Sequence, residues 1–291
     1  MIRFPALALL VVCAVFGAGC GKGGGEGGST LVVTRDFGEQ VVAPARFVAA
    51  SKGMTAMRQL QTALKTETSY GGRYVASIDG VREDDDSSWM LYIDGIEATR
   101  GAAAMRLSPG QQVQWDFHPW QTIRTGGAIV GGYPLPLKRS GVHLVCAAPE
   151  RADCAATRKQ LAAAGVRVAA RASARVVVGS WNEIQGFDGV PELESSGESN
   201  GAYAQFSGGG KRLTPYFADG SAARASGRGS GLIAAFASGD ELTWLVTGTD
   251  AAGVRRAAGL LENGGRALEN RFAVIVGADG RAGGLPVGEE R

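Results

Sequence analysis

Residues 87–120 read SSWMLYIDGIEATRGAAAMRLSPGQQVQWDFHPW, and they decide the fold of the first part of this chain. Residues 89–93 (WMLYI) give the strongest strand signal in the sequence, closed by the hairpin pair Asp94-Gly95. Ser108-Pro109-Gly110 marks a second turn, and residues 113–117 form the next strand. In that strand Trp115 and Phe117 alternate with Asp116 and His118, so the two pairs face opposite sides of a sheet. The aromatic pair is expected to pack on a helix and the polar pair to face water.

Working outward, residues 30–35 (TLVVTR) alternate like a strand, and 46–49 add a short second one. In 55–65 (TAMRQLQTALK), Met57, Leu60 and Leu64 fall three and four apart and make one helical stripe. Residues 74–78 are another strand, ended by Asp79-Gly80. Strands, one helix and strands again within about 90 residues predict an α+β roll, one helix on a small mixed or antiparallel sheet.

The stretches VTRDFGEQVV, TAMRQLQTALKTETSYGGRYVASIDGV and 87–120 resemble the transcobalamin-like C-terminal domain, a β-grasp-like family. Its most specific marks here are the Trp89, Tyr92, Gly95 spacing and the closing strand Gly110…Trp115-Asp116. The resemblance covers about residues 31–121. It implies a soluble-ligand-binding or interaction module. In the animal carriers of the family this small domain closes over a corrinoid held mainly by a large all-helical domain, and nothing in this chain resembles that helical partner. A corrinoid therefore enters only as a ligand implied by the resemblance, and no cofactor is expected.

Aromatics are 7% of the chain, yet three fall in WDFHPW, residues 115–120, beside one of only two histidines. One reading is a core-finishing strand with Trp120 folded back over its edge. Another makes Tyr92, His118 and Trp120 the floor of a ligand groove, since small-molecule sites combine aromatic faces with a few polar groups. A metal is not expected, because one His and one Asp two apart do not complete a coordination shell. The acidic run 83–86 lacks the alternating oxygen spacing of a calcium loop and reads as a solvated loop.

Further on, 126–138 (GGAIVGGYPLPLK) reads as the connection between two domains. Residues 142–147 (VHLVCA) are nearly all apolar, as in a strand buried on both faces, which places His143 in a core. A helix over 151–164, stopped by Gly165, and a strand at 166–169 complete a βαβ unit. Strands follow at 175–179, 232–237, 242–246 and 272–276, with loops expected across 192–201 and 219–231. Asp250 can cap a helix to about 262 whose buried face is Val254, Ala257, Ala258 and Leu261. The stretch 245–261 invites an anion-site reading, but it has no GxGxxG and no Walker lysine, and Asp250 would repel a phosphate. The second part is expected to be an α/β domain with a mixed sheet.

The N-terminus, MIRFPALALLVVCAVFGAGC, has one Arg followed by an apolar run too short to span a bilayer comfortably, the build of a secretory signal. Small residues before Cys20 resemble a bacterial lipoprotein signal, in which that cysteine is acylated; plain cleavage and a short uncleaved anchor are the alternatives. The Gly-rich 21–29 stretch would be a flexible tether. Outside the cytoplasm the remaining pair, Cys146 and Cys154, is most simply a disulfide, with two free thiols as the alternative. The organisation expected is a signal at 1–19, tether 20–29, first domain 30–121, linker 122–140 and second domain 141–291.

A net charge of +2 without a basic stripe gives no case for nucleic acid. No G-x-S-x-G elbow or acid–base constellation appears, so no enzyme is expected, an uncharacterised hydrolase being the remote alternative. The sequence points to a non-catalytic lipoprotein on the outer face of the cytoplasmic membrane. It would bind a soluble ligand or a surface partner, its second domain completing the pocket or docking to a transporter. The alternative is a structural cell-surface protein with no small ligand.

Overall fold

The computed structural model describes residues 27–120, 127–195, 200–239 and 241–288. The signal segment and Cys20 lie outside the described residues. The first half runs β1 (Gly28–Arg35), β2 (Gln40–Ala49), α1 (Ala56–Ala63), β3 (Thr66–Ser69), β4 (Tyr74–Ile78), β5 (Val81–Arg82), β6 (Ser87–Ile93), β7 (Ile96–Glu97) and β8 (Gln112–Pro119). Five strands form one sheet in the order β2-β1-β8-β6-β7, and β3-β4-β5 form a second. Only the central β1–β8 pair is parallel; the other pairings are antiparallel, so the sheet is mixed. α1 starts where Thr55 accepts a hydrogen bond from the Arg58 N–H, and its stripe of Met57, Leu60 and Leu64 is buried with Leu31, Val113 and Trp115. Asp79-Gly80 and Asp94-Gly95 both carry positive φ and join paired strands, as two-residue hairpin loops require.

The second half runs α2 (Leu135–Ser140), β9 (Val142–Cys146), α3 (Ala152–Ala163), β10 (Ala174–Ser180), α4 (Trp181–Ile184), β11 (Ala204–Ser207), β12 (Arg212–Pro215), β13 (Gly231–Ser238), β14 (Glu241–Gly248), α5 (Ala251–Gly259), β15 (Ala273–Val276) and β16 (Ala282–Leu285). Its six-stranded sheet has the order β16-β15-β13-β14-β10-β9. β9, β10 and β14 are mutually parallel and the rest antiparallel. α3 and α5 pack together over one face, where Leu161, Val254 and Ala257 meet Val176, Val246 and Ile233. The other face is covered by Trp181, Tyr203 and Phe206, and also by Phe37 and Tyr92 of the first half. Both faces of this sheet are therefore dry, which is why β10, β13 and β14 read as almost unbroken apolar runs.

Several sequence expectations need correction. β1 begins at Gly28, with Ser29 buried, so this strand takes in the last residues of the expected tether. The second strand reaches back to Gln40. The 126–138 stretch is no loose connection: Ala128, Ile129, Val130, Tyr133 and Leu137 are buried in the second half's cores. β9 is the edge strand, so His143 is exposed rather than core. Residues 166–169 contribute a single bridge, Val142 to Val168, and β10 is the parallel partner of β9. The β11–β12 hairpin stands between the two stretches read as loop, and β16 extends the sheet past the strand expected to close it.

Cys146 and Cys154 form a disulfide that ties the end of β9 to α3. Beside it, Arg151 forks onto Glu183 with bonds of 2.7 and 2.9 Å, while Glu183 also accepts from the N–H and hydroxyl of Ser180. The Arg151 bonds come first in lowering the Glu183 carboxyl from its ordinary 4.5 to about 2. A carboxylate held below its unfolded value stabilises the fold above that value and loses the contribution as pH falls through the folded one. Because the pair is about a third exposed, solvent screening limits its worth to about 1 kcal/mol. Glu183→Gln is expected to lower stability by that amount at pH 7, with the difference from the parent vanishing as pH falls from about 4.5 to about 2. Urea unfolding at a series of pH values measures this; a pH-independent difference would contradict it.

Candidate functional site

The polar face of β8 does not meet water. Gln114, Asp116 and His118 are 1%, 0% and 1% exposed, because the second half lies over that face. Asp116 is the hub of a buried network. Its Oδ1 accepts the Phe37 N–H at 3.0 Å and lies 2.6 Å from His118 Nδ1. Its Oδ2 accepts the Thr34 hydroxyl at 2.6 Å and the Gly38 N–H at 2.7 Å. Thr34 in turn accepts from the Gln114 amide, which also donates to the Asn270 carbonyl of the second half at 3.0 Å. The alternation of β8 was legible, but its direction was not: the face expected to be solvated is a seam between the halves.

Phe37 closes that seam. Its ring stacks on His118 at 4.5 Å and meets Tyr203 and Phe272 edge-on at 5.3 and 5.2 Å. A Cβ on Gly38 would fall 1.8 Å from the Asn270 carbonyl oxygen, so the turn can sit this close only with glycine. Along the same seam Arg139 pairs with buried Asp94 at 2.7 Å, and the Ile129 N–H donates to the Gly95 carbonyl. Burial raises the Asp94 carboxyl above its ordinary value despite bonds from Gln112, Arg139 and Gln111.

The three residues proposed from sequence for a ligand groove are placed apart in kind. Tyr92 and His118 are both buried against Phe272 in the seam. Burial pushes the Tyr92 hydroxyl well above its ordinary range, and Glu97, Asp116 and Tyr203 add to the effect. Trp120 is 51% exposed and does not fold back as a plug; its N–H donates to the Asp86 carbonyl. Among the described residues, Tyr92 and His118 are buried while Trp120 stands exposed, so the three do not share one face.

The open cleft lies elsewhere, beside the β6 edge. It encloses about 550 Å³ between β4, β6 and the loop after β7. Trp89 and Trp115 line its apolar part, Tyr74, Arg73 and Arg100 stand on it from exposed positions, and Glu97 is its one acid. The indole N–H of Trp115, on a side chain 3% exposed, has no hydrogen-bond partner among the described residues. Burial pushes the Glu97 carboxyl up from its ordinary 4.5, against the opposing charge of His118. All lining residues come from positions 73–115, so the second half does not complete this cleft. Two grooves of about 390 Å³ flank the Asp36–Gln40 turn at the seam and hold Phe37 as their only aromatic. The sequence could not single out this cleft, because its walls come from four separated segments and each wall alone reads as ordinary strand or loop.

Elsewhere, Asp250 spends its carboxylate on the Gly253 and Gly229 N–H groups, so the α5 N-terminus is capped from within. Asp84 in the acidic run accepts from the Asp86 and Ser87 N–H groups as a turn residue. Among the described residues no three His, Cys, Asp or Glu side chains gather as a metal site.

The class defined by this arrangement is an α+β protein in which a β-grasp-like half with an open cleft is locked onto a mixed α/β sheet. A family model described as a domain of unknown function, DUF4430, matches residues 53–119 and links the first half to the transcobalamin-like fold. Among solved structures, haptocorrin in complex with Cbi is similar at 15% identity and a TM-score of 0.25, over 32% of this chain and 25% of that one. The chain thus spans about a quarter of haptocorrin's length. A candidate metal-binding protein from Ruminococcus gnavus ATCC 29149 is similar at 15% identity and a TM-score of 0.26, over 32% of this chain and 98% of that one. Curated proteins give no match.

Proposed function

We propose that this protein is a membrane-anchored extracytoplasmic lipoprotein that binds a soluble small molecule in the cleft beside β6, without catalysing its conversion. The observation that carries the reading is the cleft itself: about 550 Å³, walled by two tryptophans, with Arg73, Arg100 and Glu97 as its charged lining. An apolar concavity with a few polar groups is the usual build of a small-molecule site. The Cys146–Cys154 bond fits an oxidising compartment. Corrinoids, suggested by the family resemblance, are the first class to test.

Thermal melts of the folded body with individual corrinoids test binding. A ligand at one hundred times its dissociation constant adds about 2.7 kcal/mol. Trp115→Phe, which removes the five-membered ring of the indole and so part of the cleft wall but keeps an aromatic side chain, is expected to weaken that gain several-fold while leaving the ligand-free melt within a few degrees. For the anchor, Cys20→Ala is expected to release the protein from the membrane fraction, and mass spectrometry of the parent should find an acylated cysteine at its mature N-terminus. A parent that is free of lipid would remove the anchor from this reading.

A further inference from the structure

Resting on the small-molecule reading above, we infer that the β6 cleft selects anionic ligands with a flat apolar body, the anion held by Arg73 and Arg100. Both residues line the cleft and are exposed, and neither has a carboxylate within 4.0 Å among the described residues. Arg35 and Arg82 in the same half are ion-paired with Asp36 and Glu67. Two uncompensated cations at the mouth of an apolar cleft attract an anion and can fork onto a carboxylate, sulfonate or phosphate. The two arginines come from adjoining segments: a Cβ on Gly101 would lie 4.0 Å from the Arg73 carbonyl oxygen.

The body of the ligand is read from the aromatics. Tyr74 is 62% exposed, and Tyr70, 79% exposed, sits edge-on to it at 5.6 Å. Large aromatic rings left in water at the rim of a cleft offer faces for a planar group. Trp89 and Trp115 form the apolar wall behind. Glu97 is the one acid on the cleft, and burial already disfavours its charged form, so the local balance stays positive.

Two fluorescent probes separate this inference from the reading beneath it. 8-Anilinonaphthalene-1-sulfonate carries a flat body and an anion; N-phenyl-1-naphthylamine has the same kind of body and no charge. The parent protein is expected to bind the sulfonate at least tenfold more tightly, with affinity falling as salt rises. The Arg73→Gln/Arg100→Gln double variant should lose at least tenfold in sulfonate affinity and keep its affinity for the neutral probe. Ala104→Trp, which fills the cleft from an exposed loop position, should displace both probes. Equal binding of the two probes, or a double variant with undiminished sulfonate affinity, overturns the charge selectivity but leaves a small-molecule cleft. Binding of neither probe, or binding unaffected by Ala104→Trp, overturns the cleft reading and the inference with it.

Discussion

Asp116→Ala is expected to destabilise the folded chain by about 3–5 kcal/mol, the scale on which removing one partner from a buried charged network acts. The carboxylate is fully buried and satisfies four donors: the Thr34 hydroxyl, the Phe37 and Gly38 N–H groups and His118 Nδ1. Alanine leaves all four in a space that water does not reach, and each unmet donor costs about 1–3 kcal/mol before relaxation. The loss extends beyond hydrogen bonds. Asp36 and Phe37 hold φ values of 55° and 58°, a left-handed conformation that costs non-glycine residues energy and persists only where its surroundings enforce it. Asp116 is what enforces it here, and through Phe37 it holds the two halves together. Urea unfolding should therefore show the midpoint moving sharply down, and a separate early transition for the first half would appear as the seam opens. Asp116→Asn keeps the shape but turns one acceptor into a donor facing donors, so it should lose at least half as much. A loss below about 1 kcal/mol in both variants would contradict the role given to this residue.

The second large effect is expected at Gly253. In an exposed helix, glycine to alanine adds about 1 kcal/mol of stability. Here a Cβ would fall 2.0 Å from the Ser230 carbonyl oxygen, a backbone atom that cannot swing aside. The neighbouring strands make the same demand, since a Cβ on Gly231 would lie 2.3 Å from the Gly253 carbonyl oxygen and one on Gly248 would lie 2.7 Å from the Gly253 carbonyl carbon. α5 thus touches β13 and β14 backbone to backbone. Gly253→Ala should reverse the usual sign and destabilise by about 3 kcal/mol, the upper range for overpacking. Thermal or urea unfolding reads this directly, and an unchanged or raised melting point would mean α5 can step away from the sheet. The same contact accounts for the stretch 245–261: Gly248 and Gly253 serve close packing, and Asp250 serves the helix cap, which leaves no place for a phosphate.

Much of the architecture was legible from local chemistry. The α1 stripe, the Asp-Gly hairpins, the Asp250 cap and the buried face of α5 depend on neighbours three or four residues away, and a sequence carries such information directly. The disulfide followed from having two cysteines left over outside the N-terminal segment. What misled the reading was the assumption that a strand's polar face is its wet face. For Asp116 and His118 the covering surface lies some 150 residues away in Asn270 and Phe272, and nothing in the strand itself announces it. The opposite error came at His143, where an apolar run signalled a central strand but the sheet order made it an edge.

By itself the sequence determined the main strands and helices, the alternation along β8 and the simplest cysteine pairing, because those outcomes are settled by propensity, periodicity and turn chemistry within short windows, while the β11–β12 hairpin and β16 escaped it. Only the tertiary structure decided that the polar side of β8 is a dry seam and that the open cleft lies along the β6 edge. Burial is a property of what packs on a face, and the free energy of satisfying or stranding a polar group is set by that distant surface rather than by the residue's own neighbours.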